Sequence, residues 1–208
     1  MEIKKDYILK IYQDKDIESP REWDDLGYFI TQQRNYNSPD KNKPLQAIIK
    51  EAYDEQPTNA TGHIKKIKRL CKQQFNEDIV LIVPISKYEH GNIRYYIGDH
   101  KVCSFDSGVC GFYIITKESL KKCYGLKRPI NKTLLEKIQV ELDLYNTWEN
   151  GEIYCFILHQ KQTITIDKKE YSRIEYVDNY CGFYGLEDIK KHLPEQFKNK
   201  DLNDYIIY

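Results

Sequence analysis

Two hydrophobic periodicities alternate along the chain and predict a mixture of strands and helices. Residues 78–85 form a continuous β-branched run, which is typical of a strand buried on both faces, with Pro84 at its end or at a sheet edge. Residues 63–76 and 133–148 instead place their apolar side chains on one helical stripe. We therefore predict an α+β fold with a mainly antiparallel sheet and helices packed on one face.

Turn residues and capping signals divide the rest of the chain into shorter elements. Further strands are predicted at 3–12, 93–97, 101–105, 112–115, 152–158, 163–166 and 171–177. Further helices are predicted at 45–55, at 116–124 and, interrupted by Pro194, at 186–197. Thr116 is the predicted cap of the second of these helices, and Gly125 its predicted end. We expect a single α+β domain over residues 1–208, in which segment 36–62 is loop-rich and the most mobile.

Residues 19–27 carry the clearest helix start in the sequence. A serine N-cap, a proline at the first helical position and a glutamate at the third form a capping box, and Gly27 could close the turn as a left-handed cap. This pattern predicts a short helix that holds Trp23 near Asp24 and Asp25. Either the tryptophan fills the core with the aspartates on the helix surface, or the three side chains form a contact site.

A Cys-Gly-Phe-Tyr motif behind an aspartate occurs twice, first in residues 106–113 and again in residues 178–185. Each copy follows a β-like run and leads into a helical one, which predicts two strand–turn–helix corners. The residues that we assign to this structural motif are Asp106, Ser107, Gly108, Gly111, Asp178, Gly182 and Gly185.

Two interpretations of the repeated motif remain open. Gly111 and Gly182 suggest a bulge or a close approach of another backbone, so the two corners could pack together. Alternatively, Asp106 and Asp178 converge on one cleft as paired carboxylates that bind a cation or act as acid and base.

The region of the first motif also contains side chains that could serve catalysis. If the chain is an enzyme, its site would comprise Asp106, Asp178, Cys110 and His100. A cysteine nucleophile needs a nearby base to form its thiolate, which spacing alone does not show. Cys103 and Cys110 lie seven residues apart without a matching pair, unlike zinc ligands, so we expect no metal and no cofactor.

Charge excludes some function classes. Lys plus Arg and Asp plus Glu number 32 each, so no overall field favours nucleic acid or a surface that mimics DNA. Lys65, Lys66, Lys68 and Arg69 nevertheless form a basic helix face, which either contacts nucleic acid or a partner or simply solvates the domain. Eighteen tyrosines indicate a globular chain in which amphipathic rings are buried.

Cysteine spacing and the first residues bear on the compartment. The six cysteines show no Cys-x-x-Cys pair, and the N-terminal residues lead into no apolar segment. We therefore expect reduced thiols and a cytoplasmic location. No apolar run approaches the ~20 residues of a membrane span, so we expect no membrane partner.

Three islands of the sequence together resemble a family of bacteriophage and mobile-element proteins. They are Pro-Arg-Glu-Trp-Asp at 20–24, Asp-Ser-Gly followed by Gly-Phe at 106–112, and Gly-Phe-Tyr-Gly at 182–185. Two departures stand out. Family members often have tryptophan where this chain has Phe105, and often have histidine where it has Gln32 and Gln33. A mechanism that relies on that histidine would be absent here.

The resemblance implies a setting, the bacterial host cytoplasm, and no particular reaction. Phage accessory proteins often defeat host defences, so we expect a binding protein that inhibits a bacterial defence nuclease, of anti-CRISPR or anti-restriction type, by stoichiometric contact rather than catalysis. The partner-binding residues predicted for it are Trp23, Asp24, Asp25, Lys65, Lys66, Lys68 and Arg69. The alternatives are an enzyme acting on nucleic acid or a nucleotide signal, and a nucleic-acid binder that uses residues 65–72.

Overall fold

The computed structural model describes residues 2–23, 25–32, 37–54, 60–98, 105–125 and 129–207. They group into two compact units, and the second is inserted in sequence between the two halves of the first. Unit 1 comprises Met1–Glu18 and Thr147–Tyr208, and unit 2 comprises Ser19–Asn146. A single domain over residues 1–208 stays a prediction.

Unit 2 contains a four-stranded antiparallel sheet with the strand order β2-β5-β3-β4. Its strands are β2 (Tyr28–Thr31), β3 (Ile79–His90), β4 (Asn92–Ile97) and β5 (Ser107–Thr116). Its helices are α1 (Lys43–Asp54), α2 (Ala60–Phe75), α3 (Lys117–Tyr124) and α4 (Asn131–Glu149), the last of which ends in unit 1. The predicted α+β class with antiparallel pairing is confirmed.

The side-chain alternation of β5 explains how unit 2 buries both faces of its sheet. Successive residues of a strand point to opposite faces. Phe112 and Ile114 accordingly pack with the apolar stripes of α1 and α2. Tyr113 points the other way and donates its hydroxyl hydrogen to Glu141 of α4.

Unit 1 is built on a three-stranded antiparallel sheet with the order β1-β6-β7. Its elements are β1 (Glu2–Gln13), β6 (Ile153–Ile166), β7 (Lys169–Tyr184), α5 (Leu186–Lys190) and α6 (Glu195–Lys198). Leu158 and Phe183 belong to a core that also contains Ile189 of α5 and Phe197 of α6. The predicted break at Pro194 is confirmed, because it separates these two short helices.

The two copies of the repeated motif form strands, so the predicted strand–turn–helix corners are wrong. Asp106 lies in the turn before β5, and the rest of its copy lies within that strand. Residues 178–184 of the second copy lie within β7, and its last residue, Gly185, joins β7 to α5. Aromatic and β-branched residues surround both copies and favour extended backbone, which outweighs the turn preference of the glycines.

The two motif glycines serve different purposes. A Cβ atom at Gly111 would lie 2.0 Å from the carbonyl oxygen of Ile30, so the backbones of β5 and β2 meet closely there. Gly182 has a φ of 81° and lies in a bulge, where Cys181 and Gly182 together face Cys155.

Several element boundaries also differ from the sequence prediction. Segment 19–27 forms only one 3-10 turn, Pro20–Glu22, capped by the Ser19 hydroxyl. Gly27 is not a left-handed cap, because its φ is not positive. Its lack of a side chain instead allows a close backbone contact, since a Cβ there would lie 2.4 Å from the Ile114 carbonyl oxygen. The strands predicted at 152–158 and 163–166 are one strand, β6.

Other local signals hold. Thr116 caps α3 and Gly125 ends it with a φ of 62°, as predicted. Of the segment expected to be loop-rich, residues 43–54 form α1, whereas 36 and 55–59 lie outside the described residues. The strand predicted at 101–105 lies largely outside them too. Among the described helices, none is both long and apolar enough to cross a membrane.

Cys155 and Cys181 form a disulfide between β6 and β7, so the expectation of reduced thiols is wrong for this pair. Spacing along the chain gave no hint of it, because the two cysteines lie 26 residues apart and meet through strand pairing. Cys71, Cys110 and Cys123 are not part of a disulfide.

Gly111→Ala is expected to lower the free energy of unfolding by about 2 kcal/mol, because the added methyl group overpacks a backbone contact that cannot move aside. Gly108→Ala is the matched control in the same strand, since a Cβ there meets nothing within 4 Å. Urea unfolding of both variants tests this, and equal midpoints would contradict it.

Candidate binding cleft

A cleft of about 920 Å³ opens in unit 2 beside the Pro20–Glu22 turn. We call it the Trp23 cleft. Three stretches of chain contribute to its walls: residues 21–23 with 25, 27 and 28, residues 39–44, and residues 118, 119 and 122 of α3. Trp23 and Tyr28 supply aromatic surface, and Lys43 and Lys122 supply positive charge.

The floor of the cleft is formed by the Arg21 guanidinium, whose side chain is only 3 % exposed. It binds the Asp40 carboxylate with two parallel hydrogen bonds, 2.9 Å from Nε to Oδ1 and 2.7 Å from Nη2 to Oδ2. Nη2 also donates to the carbonyl oxygen of Gly27 at 2.8 Å. This bidentate geometry is what makes arginine suited to buried carboxylates.

Two more carboxylates approach the same guanidinium. Its Nη1 donates to Glu141 Oε2 at 3.2 Å and lies 3.0 Å from Asp25 Oδ2. The Asp25 oxygen is buried and makes no hydrogen bond with the described residues. The guanidinium carbon lies 5.5 Å from the centre of the Tyr113 ring. We call Arg21, its three carboxylate partners and Tyr113 the Arg21 network; the carboxylates are those of Asp25, Asp40 and Glu141.

The Arg21 network fixes the backbone that follows Trp23. The N–H of Leu26 donates to Glu141 Oε1 at 3.0 Å, and the N–H of Phe29 donates to Asp40 Oδ2 at 2.6 Å. The N–H of Gly27 donates to the Tyr113 hydroxyl at 2.9 Å. The backbone N–H groups of three residues therefore donate to side chains of the network. These hydrogen bonds hold residues 26–29 in one conformation.

The pKa values in the network follow from one cation among three acids. Burial, with the charges of Glu141 and Asp40, raises the pKa of Asp25 to about 7 against the opposing effect of Arg21. Burial alone would lower the pKa of Arg21, but hydrogen bonding and charge from Asp40 outweigh it and raise that pKa. Burial and Glu141 raise the pKa of Tyr113. Arg21 therefore stays charged, and Asp25 takes up a proton near neutral pH.

The structure exposes half of Trp23 at the rim of the cleft, so this ring does not fill the core. Asp25 points into the Arg21 network, and Asp24 lies outside the described residues. The sequence indicated this segment but missed Arg21, Asp40 and Glu141 as site residues.

The predicted basic face of α2 is only partly available. Lys65, Lys68 and Arg69 are exposed. Lys66 is half-buried and donates to the carbonyl oxygen of Glu51 at 2.9 Å, where it joins α2 to α1.

The described residues considered for catalysis belong to two different units. Asp106 belongs to unit 2, where its Oδ2 lies 3.6 Å from His90 Nδ1, and Asp178 belongs to unit 1. Burial raises the pKa of Cys110 to about 12, and its thiol donates to the Ile85 carbonyl oxygen. A nucleophilic cysteine needs a lowered pKa instead. His100 and Cys103 lie outside the described residues.

One set of side chains in unit 1 has the donor types of a metal site. The ligand atoms of Asp14, Cys155 and Cys181 lie within 4.8 Å of one another. Asp14 Oδ2 is 3.5 Å from Cys155 Sγ, but both sulfurs belong to the disulfide. These residues could hold a thiophilic cation such as Zn²⁺ only after reduction, because thiolates are the ligands.

Arg21→Met is expected to lower the free energy of unfolding by about 3–5 kcal/mol, because it leaves buried carboxylates without their cation. Lys132→Met is the matched control, since Lys132 forms an exposed pair with Glu136 in the same unit. Its effect should stay within about 0.5 kcal/mol. Chemical denaturation measures both, and a similar small loss for Arg21→Met would contradict a central role of its charge.

Asp25→Asn is expected to alter the pH dependence of stability. The folded-state pKa of about 7 exceeds the ordinary value of 3.8, so folded protein binds this proton more tightly than unfolded chain. The stabilisation is complete below pH 3.8 and is lost as pH rises through about 7. The variant should therefore gain stability relative to wild type over that range. Melting temperatures at a series of pH values test this, and parallel curves would refute it.

Comparison of the chain with protein-family models, curated proteins and solved structures finds no match. The resemblance to bacteriophage and mobile-element proteins, which rests on three sequence islands, therefore stays a prediction. Support for a function comes from the geometry of the Trp23 cleft.

Proposed function

We propose that this chain is a binding protein that inhibits a bacterial defence nuclease, a CRISPR effector or a restriction enzyme, by stoichiometric contact through the Trp23 cleft. The observation that carries this proposal is a half-exposed tryptophan on a stretch of chain fixed by a buried arginine network. The bacteriophage resemblance supplies the setting.

The energetics of protein interfaces favour such an arrangement. Tryptophan is among the residues that contribute most to binding energy, because its large ring leaves water when a partner covers it. Ordering a flexible segment on binding costs affinity. The hydrogen bonds of Leu26 and Gly27 to the Arg21 network hold the chain beyond Trp23 before any partner arrives.

The charges around the cleft favour a protein partner. Both signs of charge line its walls: the lysines 41, 43 and 122, and the glutamates 22 and 118. A polyanion such as DNA is best bound by an excess of positive charge. Mixed charges instead suit a protein surface of complementary pattern and give specificity.

The cysteine-based version of the enzymatic alternative has less support. The Cys110 thiol is buried, and its raised pKa disfavours the thiolate that a nucleophile requires. Catalysis by Asp106 and Asp178 remains the version to test against binding.

Trp23→Ala is expected to weaken inhibition about 30-fold, which corresponds to about 2 kcal/mol for an interface hot spot. The measurement is DNA cleavage by purified CRISPR effectors and restriction enzymes titrated with this protein. Wild-type inhibition should saturate near an equimolar ratio. Phe105→Ala is the matched control, because Phe105 is an aromatic residue of the same unit with 95 % exposure.

The same titration separates binding from catalysis. Inhibition that continues at a small fraction of the nuclease concentration, and that Asp106→Asn or a chelator abolishes without lowering the melting temperature, would favour the enzyme. Equal loss for Trp23→Ala and Phe105→Ala would remove the cleft from the interface. Failure to inhibit any member of either nuclease class would contradict the proposed function.

A further inference from the structure

Strand β7 carries an unusual number of exposed apolar side chains. Tyr171, Ile174, Tyr176 and Tyr180 are each more than half exposed, and Val177 is 44 % exposed. A monomeric protein rarely leaves so many large apolar groups together in water, and contiguous patches of this kind mark interaction surfaces.

β7 is also an edge strand. In the described part of the chain it pairs with β6 and with no other strand. The opposite edge, β1, carries Lys4, Lys5 and Lys10, and lysines on an edge discourage pairing with another strand. β7 also carries charged residues, among them Lys169 and Arg173, but it leaves large apolar side chains exposed along its unpaired edge.

The apolar side chains of β7 lie on both faces of the sheet. Tyr176 faces His159, and Ile174 faces Lys161, which puts both on one face. Tyr171 faces Ile164 and lies on the other face. A partner that packed on one face would leave the other exposed. A strand that continues the sheet covers both, since its own side chains alternate between the faces.

We propose that a second copy of this chain supplies that strand, so that two β7 edges pair antiparallel about a two-fold axis at Ser172. Residues that face each other across antiparallel strands have the same hydrogen-bonding orientation. The direction in which the backbone N–H and C=O point alternates from one residue of a strand to the next. In a symmetric pair a residue can therefore face its own copy but not the copy of its neighbour, so the two-fold axis passes through a residue. The result is a six-stranded sheet with an isologous interface.

Charge selects the register. With the axis at Ser172, Lys169 faces Glu175 of the second copy, and the pair occurs twice by symmetry. Tyr171 then faces Arg173 of the second copy, which is a favourable contact of a ring with a guanidinium. No like charges meet in this register.

Neighbouring registers are unfavourable. An axis at Arg173 would oppose two arginines, and an axis at Tyr171 would oppose Lys169 and Arg173. An axis at Ile174 would carry the pairing into the bulge at Val177, which lies between the paired residues Tyr176 and Asp178. The Ser172 register pairs residues 169–175 of the two copies, all of which lie in β7 ahead of the bulge.

Sedimentation velocity over a concentration series tests the proposal with charge-reversal variants. Wild type should show a concentration-dependent dimer. Lys169→Glu and Glu175→Lys should each raise the dimer Kd about tenfold, because two attractive cross-strand pairs become repulsive. An equimolar mixture of the two variants should form a heterodimer with near wild-type Kd, since every cross-strand pair is then attractive again.

Lys5→Glu is the matched control, because it reverses an exposed lysine on the opposite edge of the same sheet and should leave the Kd unchanged. Circular dichroism of each variant confirms that its fold is retained. A wild type that stays monomeric would overturn the proposal. So would a dimer insensitive to both reversals, or a mixture that dimerises no better than either variant alone.

Discussion

The shape of the Trp23 cleft depends on one buried cation. Arg21 meets carboxylates from three separate parts of unit 2: Asp25 beside it in sequence, Asp40 ahead of α1, and Glu141 on α4. Water cannot take over the role of a missing partner at a buried guanidinium, so each group is stable only when the others are in place. The cleft floor therefore exists only when the sheet and α4 have formed around it.

Local signals in the sequence predicted much of this fold because they act within a few residues. A hydroxyl at Thr116 and a glycine at 125 bound α3, and Pro194 interrupts a helix wherever it falls, since it lacks an N–H. Apolar periodicity likewise located β3, α2 and α4. Serine at position 19 marked the start of a turn, but nothing local showed that the turn would end at Glu22.

The site itself could be predicted only in part, because its partners meet through tertiary structure. The segment around Trp23 was evident from its tryptophan and acids. Nothing in the sequence distinguishes Asp40 and Glu141 from acids on the surface. Only the tertiary structure brings them next to Arg21. The Cys155–Cys181 disulfide escaped prediction for a related reason, since it depends on the register of β6 against β7 and on a bulge at Gly182.

The insertion of unit 2 within unit 1 has a consequence for synthesis. β1 pairs with β6, which leaves the ribosome only after the whole of unit 2 has been made. Unit 2 can therefore fold before β1 has its partner strand, since domains generally fold as units during synthesis. The lysines at 4, 5 and 10 are favourable before β6 has been made, because charged side chains on an unpaired strand oppose aggregation.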